Sequence, residues 1–189
     1  SDGGTWVLRR PPLGHVLPTA HDMAREYRVL TGVAKVGYPA PKPIALCEDA
    51  AVNDYPFYVM EYREGVIIAE ELPPGYAETE DQRQAISRAL VATLVQLHAI
   101  DYEAVGLGDF GRPDGYIERQ VRRWAEQWGR SETRPLAEVN ELIKRLKAAV
   151  PVSPAPTIVH GDYRLGNMML GSDEPGRVVA VLDWEMCTL

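Results

Sequence analysis

Cysteine is scarce: only Cys47 and Cys187 occur in 189 residues, without paired spacing, and there is no Asn-x-Ser/Thr acceptor. That excludes a disulfide-stapled secreted scaffold, and a reduced, cytoplasmic protein is the expectation. Long apolar runs are lacking as well. The most apolar helical stretch, 85–100, is interrupted by Ser87, Arg88, Gln96 and His98 and is too short to cross a bilayer. No basic-then-apolar leader opens the sequence, so neither a membrane span nor a signal peptide is expected. Positive charge is not in excess either: 20 Lys and Arg against 27 Asp and Glu leave a net charge of −7. A chain of that sign is a poor electrostatic match to DNA, RNA or an anionic membrane. Internal repeats and low-complexity tracts are also missing, which argues against a solenoid or a disordered chain.

What is present is an ordinary globular mixture, 46% apolar and 25% charged. Residues 5–10 are β-prone and stopped by Pro11-Pro12. Thr19-x-x-Asp22 reads as a capping box for a helix carrying Met23, Tyr27 and Leu30, closed by Gly32. The proline-rich 38–43 is extended, because proline fixes φ and restricts its predecessor. Two strands, 44–47 and 57–62, follow around a polar turn. Beyond Tyr62 a loop-rich connector leads into helices. Thr79-x-x-Gln82 caps one with a broad apolar face. A second carries Tyr116, Trp124 and Trp128, and a third begins near Pro135 and is expected to bury Val139, Leu142, Ile143 and Leu146. Thr157-Ile158-Val159 and 178–182 read as apolar strands flanking Met168-Met169-Leu170. The expected division is a strand-rich part over 1–62 and a mainly helical part over 63–189. The opening turn at Ser1-Asp2-Gly3-Gly4 and the stop at Leu189 lead us to expect a fragment of a longer protein.

The chemistry gathers near the end. Asp162 and Asn167 lie five apart in His160-Gly161-Asp162-Tyr163-Arg164-Leu165-Gly166-Asn167, between apolar segments, and Asp183 follows the next strand. Such a layout brings two carboxylates and an amide to one spot. A hard cation such as Mg²⁺ takes a few protein oxygens and completes its shell with water and phosphate. Asn167 and Asp183 suit that task, and Asp162 is left to orient a hydroxyl or accept its proton.

His160-Gly161-Asp162 with Asn167 and Leu182-Asp183 resembles the catalytic loop and metal-binding aspartate of the aminoglycoside phosphotransferase family, relatives of protein kinases. The resemblance implies an α+β, protein-kinase-like two-lobe fold, here a partial N-lobe and part of a helical C-lobe. It also implies ATP and Mg²⁺ as cofactors and a small-molecule acceptor. Arg164 falls where many protein kinases place a lysine near the transferred phosphate. Tyr58-Val59-Met60-Glu61-Tyr62 looks like the strand entering a hinge, with Met60, Glu61 and Tyr62 at the adenine. Val7-Leu8-Arg9 looks like the strand that grips phosphate, with Glu26 its helix partner, and Leu97-His98-x-x-Asp101 recurs in the family. The Leu8-Arg9-Arg10-Pro11-Pro12 run and Arg119 to Trp124 resemble the kinase-like domains associated with some acyl-CoA dehydrogenases.

Two departures stand out. The glycine-rich phosphate loop is not seen before the first strand, and Arg9 replaces the usual lysine, a swap that keeps charge but changes geometry. Both favour the rival reading, a non-catalytic nucleotide-binding module, while Asp162, Asn167 and Asp183 oppose it. In relatives the region from Arg112 to Arg134 lines the acceptor pocket. Here it holds six arginines against Asp114, Glu118, Glu126 and Glu132. That bias suits an anionic acceptor, such as a hydroxyacyl thioester, better than a polycationic aminoglycoside. A helix laced with i,i+4 ion pairs is the plainer account of the same residues.

Overall fold

A computed structural model describes residues 4–12 and 22–189. The element order is β1 (Trp6–Arg9), α1 (Met23–Ala34), β2 (Pro43–Cys47), β3 (Phe57–Glu61), β4 (Val66–Ile67), α2 (Glu80–His98), α3 (Tyr116–Ser131), α4 (Ala137–Ala148), a 3-10 turn (Leu165–Asn167), β5 (Met168–Leu170) and β6 (Val178–Val181). By packing, the described residues divide into two compact units, one from 1–108 with 157–188 and one from 109–156 with Leu189. The expected 62/63 boundary falls inside the first of these.

The first unit holds two antiparallel three-stranded sheets, β1-β3-β2 and β4-β5-β6. In the first sheet Arg9 is the cross-strand partner of Tyr58, which puts the two side chains on one face. Helix α1 lies against this sheet and buries Val29, Leu30 and Val33. Its cap is Asp22 itself, whose carboxylate accepts the Arg25 N–H at 2.9 Å; Thr19 lies outside the described residues. Gly32 does not end the helix, which runs on to Ala34. A Cβ at Gly32 would stand 3.1 Å from Leu107, so this glycine serves close packing rather than termination.

Three cations fasten α1 to later parts of the unit. Arg25 donates to the Cys187 carbonyl at 3.0 Å, Arg28 to Gly106 at 2.9 Å and Lys35 to Val105 at 2.8 Å. Just beyond α1, the Val181 N–H donates to Pro39 O at 2.8 Å, which ties the chain before β2 to the end of β6. The capping box expected at α2 is present in full, Thr79 and Gln82 bonding each other's backbone N–H. Ile86, Thr93 and Leu97 are its buried stripe. Strand β4 was not foreseen, because two residues carry no readable periodicity. Thr157-Ile158-Val159 is not a strand: Val159 makes a single bridge to Thr188, and Ile158 is buried.

In the second unit α3 and α4 pair over an apolar groove of about 340 Å³ that includes Trp124, Trp128, Leu142 and Ile143. Helix α4 begins at Ala137, close to Pro135, and none of its residues is buried. Its apolar positions have the expected helical spacing, but they face this open groove, with Leu142 53% exposed. No helix among the described residues is long and apolar enough to cross a membrane.

Candidate active site

The β5–β6 hairpin arranges the loop residues. Its register sets Met168 opposite Val181, and the Leu182 N–H donates to Asn167 O at 2.8 Å. Asn167, at the end of the 3-10 turn, therefore lies beside the segment Leu182–Asp183. Both residues line a cavity of about 280 Å³ within the first unit, together with Arg9, Glu26, Tyr58 and Met60. Asp183 adopts the left-handed backbone, φ 64°, a conformation that Asn and Asp tolerate better than other non-glycine residues.

His160 organises the loop without facing the cavity. It is 1% exposed. Its Nε2–H donates to Leu182 O at 2.9 Å, and its Nδ1 accepts the Asp162 N–H at 3.3 Å, which together define one neutral tautomer. Trp184 lies tilted against the ring, centroids 4.7 Å apart, and is itself met edge-on by Tyr38. Burial holds the His160 pKa below its ordinary 6.5, the Leu182 hydrogen bond opposing only in part. The protonated form is thus disfavoured in the fold but free to form on unfolding. Stability should be constant above the unfolded-chain value near 6.5 and fall as pH drops below it, because the unfolded state then binds the extra proton. Urea midpoints measured between pH 7.5 and 5 should show this decline, and His160→Gln should flatten it.

Gly161 sits at φ 90°, and a Cβ there would collide with the Met186 carbonyl. Both facts demand glycine between His160 and Asp162. Tyr163 passes under the loop, donating to Leu90 O at 2.7 Å; burial pushes its phenol up to about 12. His98 meets this part of the chain through its carbonyl, which accepts from the Thr157 hydroxyl at 2.7 Å.

Asp162 and Asn167 meet directly. The Asn167 side-chain nitrogen donates to Asp162 Oδ2 at 2.7 Å and to its carbonyl at 2.9 Å. A planar amide so held turns its oxygen away from Asp162, available to a cation. Arg164 stands 3.5 Å from Asp162 Oδ2 and is mostly exposed. In the same cavity lining Arg9 and Glu26 are joined: Arg9 Nε lies 3.2 Å from Glu26 Oε2. The same guanidinium reaches Asp183 at 3.1 Å and Glu185 at 3.7 Å. Burial works against its charge, but Glu26 and Asp183 outweigh that and hold its pKa above the ordinary arginine value. Glu26 is 1% exposed; burial raises its pKa, and Arg9 and the Tyr58 hydroxyl counteract the rise.

Of the expected hinge residues only Met60 reaches the cavity. Glu61 pairs with Arg63 and donates its N–H to Lys42 O, and Tyr62 donates to Thr5 O. Those amides are used by the sheet, which leaves Glu61 and Tyr62 outside the lining. Tyr58 and Glu185 are not among the site residues expected from the sequence. The cross-strand pairing of Tyr58 with Arg9 is the signal that would have found the first.

The donor set suits magnesium. Asn167 and Asp183 offer two hard oxygens, a set that would fit a cation taking few protein oxygens and completing its shell with water and phosphate. The loop, the paired cation and carboxylate, and the two oxygen donors are found together in kinase-like phosphotransferases, and a profile of the phosphotransferase enzyme family (APH) matches residues 1–189. The chain belongs to the phosphotransferase enzyme family.

Within that family the chain is similar to mouse acyl-CoA dehydrogenase family member 10, 39% identical over 183 residues, which is 97% of this chain and 17% of that protein. The crystal structure of a putative aminoglycoside phosphotransferase from Ralstonia eutropha superposes with a TM-score of 0.85 at 38% identity, covering 100% of this chain and 54% of that one. The fold alone is shared with the GDP and kanamycin complex of an aminoglycoside 2″-phosphotransferase, at TM-score 0.68, 15% identity, and 99% and 62% coverage. The chain thus spans about half of the similar solved structure and less than a fifth of the mouse relative. As a phosphotransferase-family chain it has the kinase-like α+β fold.

Proposed function

We propose that this chain is the nucleotide- and metal-binding part of an ATP-dependent phosphotransferase that acts on a hydroxyl of a small anionic molecule, such as a hydroxyacyl thioester. The observation that carries the reading is the convergence of Arg9, Glu26, Asn167 and Asp183 on one cavity, with Asp162 hydrogen-bonded to Asn167 beside it.

In this reading Asn167 and Asp183 hold Mg²⁺, whose chemistry is to neutralise the β- and γ-phosphate oxygens. Glu26 holds Arg9, and Arg9 grips phosphate. Met60 and Leu30 form apolar wall for the adenine. Asp162 orients the acceptor hydroxyl and takes its proton late, and Arg164 offsets charge on the transferred group. Positioning and electrostatics do most of the work in such a transfer. The rival, nucleotide binding without turnover, is separated by a single-turnover assay on the intact protein.

The anionic acceptor rests on Arg112 to Arg134. No ion pair joins these arginines to carboxylates among the described residues, and Arg119 is turned to the carbonyls of Arg112 and Asp114. A polycation meets like charge there, whereas a carboxylate or phosphate gains charge-assisted bonds of about 1.5–3 kcal/mol each. A coupled ADP assay should show weak or no turnover of kanamycin-like compounds and at least tenfold higher kcat/KM on anionic hydroxylated acceptors. Efficient turnover of aminoglycosides alone would overturn this choice of acceptor.

A further inference from the structure

One group in this cavity has no task in the reaction as described: the Tyr58 hydroxyl. Tyr58 is 2% exposed. Its ring is pinned in the central strand β3 and meets Tyr27 edge-on at 6.2 Å. The hydroxyl donates to Glu26 Oε2 at 2.9 Å. Tyr58 and Arg9 are cross-strand partners on one sheet face, so both converge on the same buried carboxylate.

Arg9 is contested. Its Nε and one terminal nitrogen contact Glu26 at 3.2 and 3.4 Å, and that same nitrogen lies 3.1 Å from Asp183 and 3.7 Å from Glu185. A lysine has one point charge to place, but an arginine's planar fork serves two sides at once. What it gives to one side is set by how well the other side is held. We propose that Tyr58 is a positioning residue that keeps the Glu26 carboxylate turned to Arg9, so that Arg9 is not drawn wholly onto Asp183 and Glu185. Without the hydroxyl, a buried carboxylate loses one of its donors and its hold on Arg9 weakens. Arg9 then settles on Asp183, and any cation seeking Asp183 must displace it. The proposal rests on the phosphotransferase reading of this cavity.

The test is binding of ADP to the intact protein by calorimetry, with Mg²⁺ and with EDTA. Tyr58→Phe keeps the ring and removes only the hydroxyl. It should weaken Mg²⁺–ADP binding about tenfold, the scale of one hydrogen bond to a charged group, and weaken metal-free ADP binding less, since there only the grip of Arg9 on phosphate is reduced and no cation has to displace it from Asp183. Glu26→Gln should weaken it similarly, and the Tyr58→Phe/Glu26→Gln pair should be no worse than Glu26→Gln alone. Adding Glu185→Gln to Tyr58→Phe should recover most of the loss, since it removes a competing carboxylate. Unchanged Mg²⁺–ADP affinity in Tyr58→Phe, equal losses with and without metal, or additive losses with Glu26→Gln would each overturn the role of Tyr58. Glu185→Gln alone leaves the Tyr58–Glu26 contact intact and should bind Mg²⁺–ADP at least as tightly as wild type. A clear loss there also overturns it, even where Tyr58→Phe does not fold. Failure of the wild-type protein to bind either nucleotide form would instead strike down the phosphotransferase reading, and this proposal with it.

Discussion

Asp183→Asn should abolish phosphate transfer in the intact protein, by a thousandfold or more, while leaving the fold in place. The loss follows from the role proposed for Asp183: a neutral amide cannot supply the anionic oxygen that holds a divalent cation on the phosphates, and such electrostatic terms are worth several kcal/mol at the transition state. The fold should survive for a reason specific to this position. Asp183 has φ 64°, and asparagine is the non-glycine side chain most at ease there. Thermal unfolding of the variant should stay within a few degrees of wild type, whereas single-turnover transfer should fall below detection. Normal turnover would remove Asp183 from the metal site.

Asp162→Ala should lower kcat by two to four orders of magnitude, on the order expected for losing a positioned proton acceptor, with ATP affinity nearly unchanged. The structure explains the second half. Asp162 holds Asn167 twice, through its carboxylate and through its carbonyl at 2.9 Å. Truncation removes the first bond and keeps the second, so the proposed metal ligand stays in place. Measured kcat and nucleotide Kd would separate the effects; a collapse of ATP affinity with kcat retained would reverse the assignment.

The sequence made the loop legible because its chemistry is local: Asp162 and Asn167 are five residues apart, and their spacing alone predicts a meeting on one turn. The Arg9–Glu26 contact was within reach only by resemblance, since an isolated Arg and Glu seventeen residues apart carry no signal of their own. The partners of Tyr58 and Glu185 were not legible, because strand alternation says which way a side chain points and not what it meets. Gly32 was misread for a related reason: glycine as a terminator and glycine as room for Leu107 look the same in one dimension. Helix α4 shows the limit of periodicity. Its apolar spacing was right, yet spacing predicts a face and not what covers it, and here the face opens on a groove. Glu61 and Tyr62 do not line the cavity; their N–H groups go to Lys42 O and Thr5 O, long-range pairings that their own neighbours do not encode.

The fastening of α1 has a consequence for control. In protein kinases the helix bearing the acidic partner swings, and its return to the site is the activation event. Here that helix is bolted at Arg25, Arg28 and Lys35 to carbonyls far along the chain. The entropy of assembling Arg9 with Glu26 is thereby settled at folding, before any ligand arrives. Under the proposed reading the Arg9–Glu26 pair would need no swing of α1 to form. Under the proposed reading its output would follow the supply of acceptor and nucleotide and the amount of protein made, with hydrogen exchange along α1 equally slow whether or not nucleotide is bound.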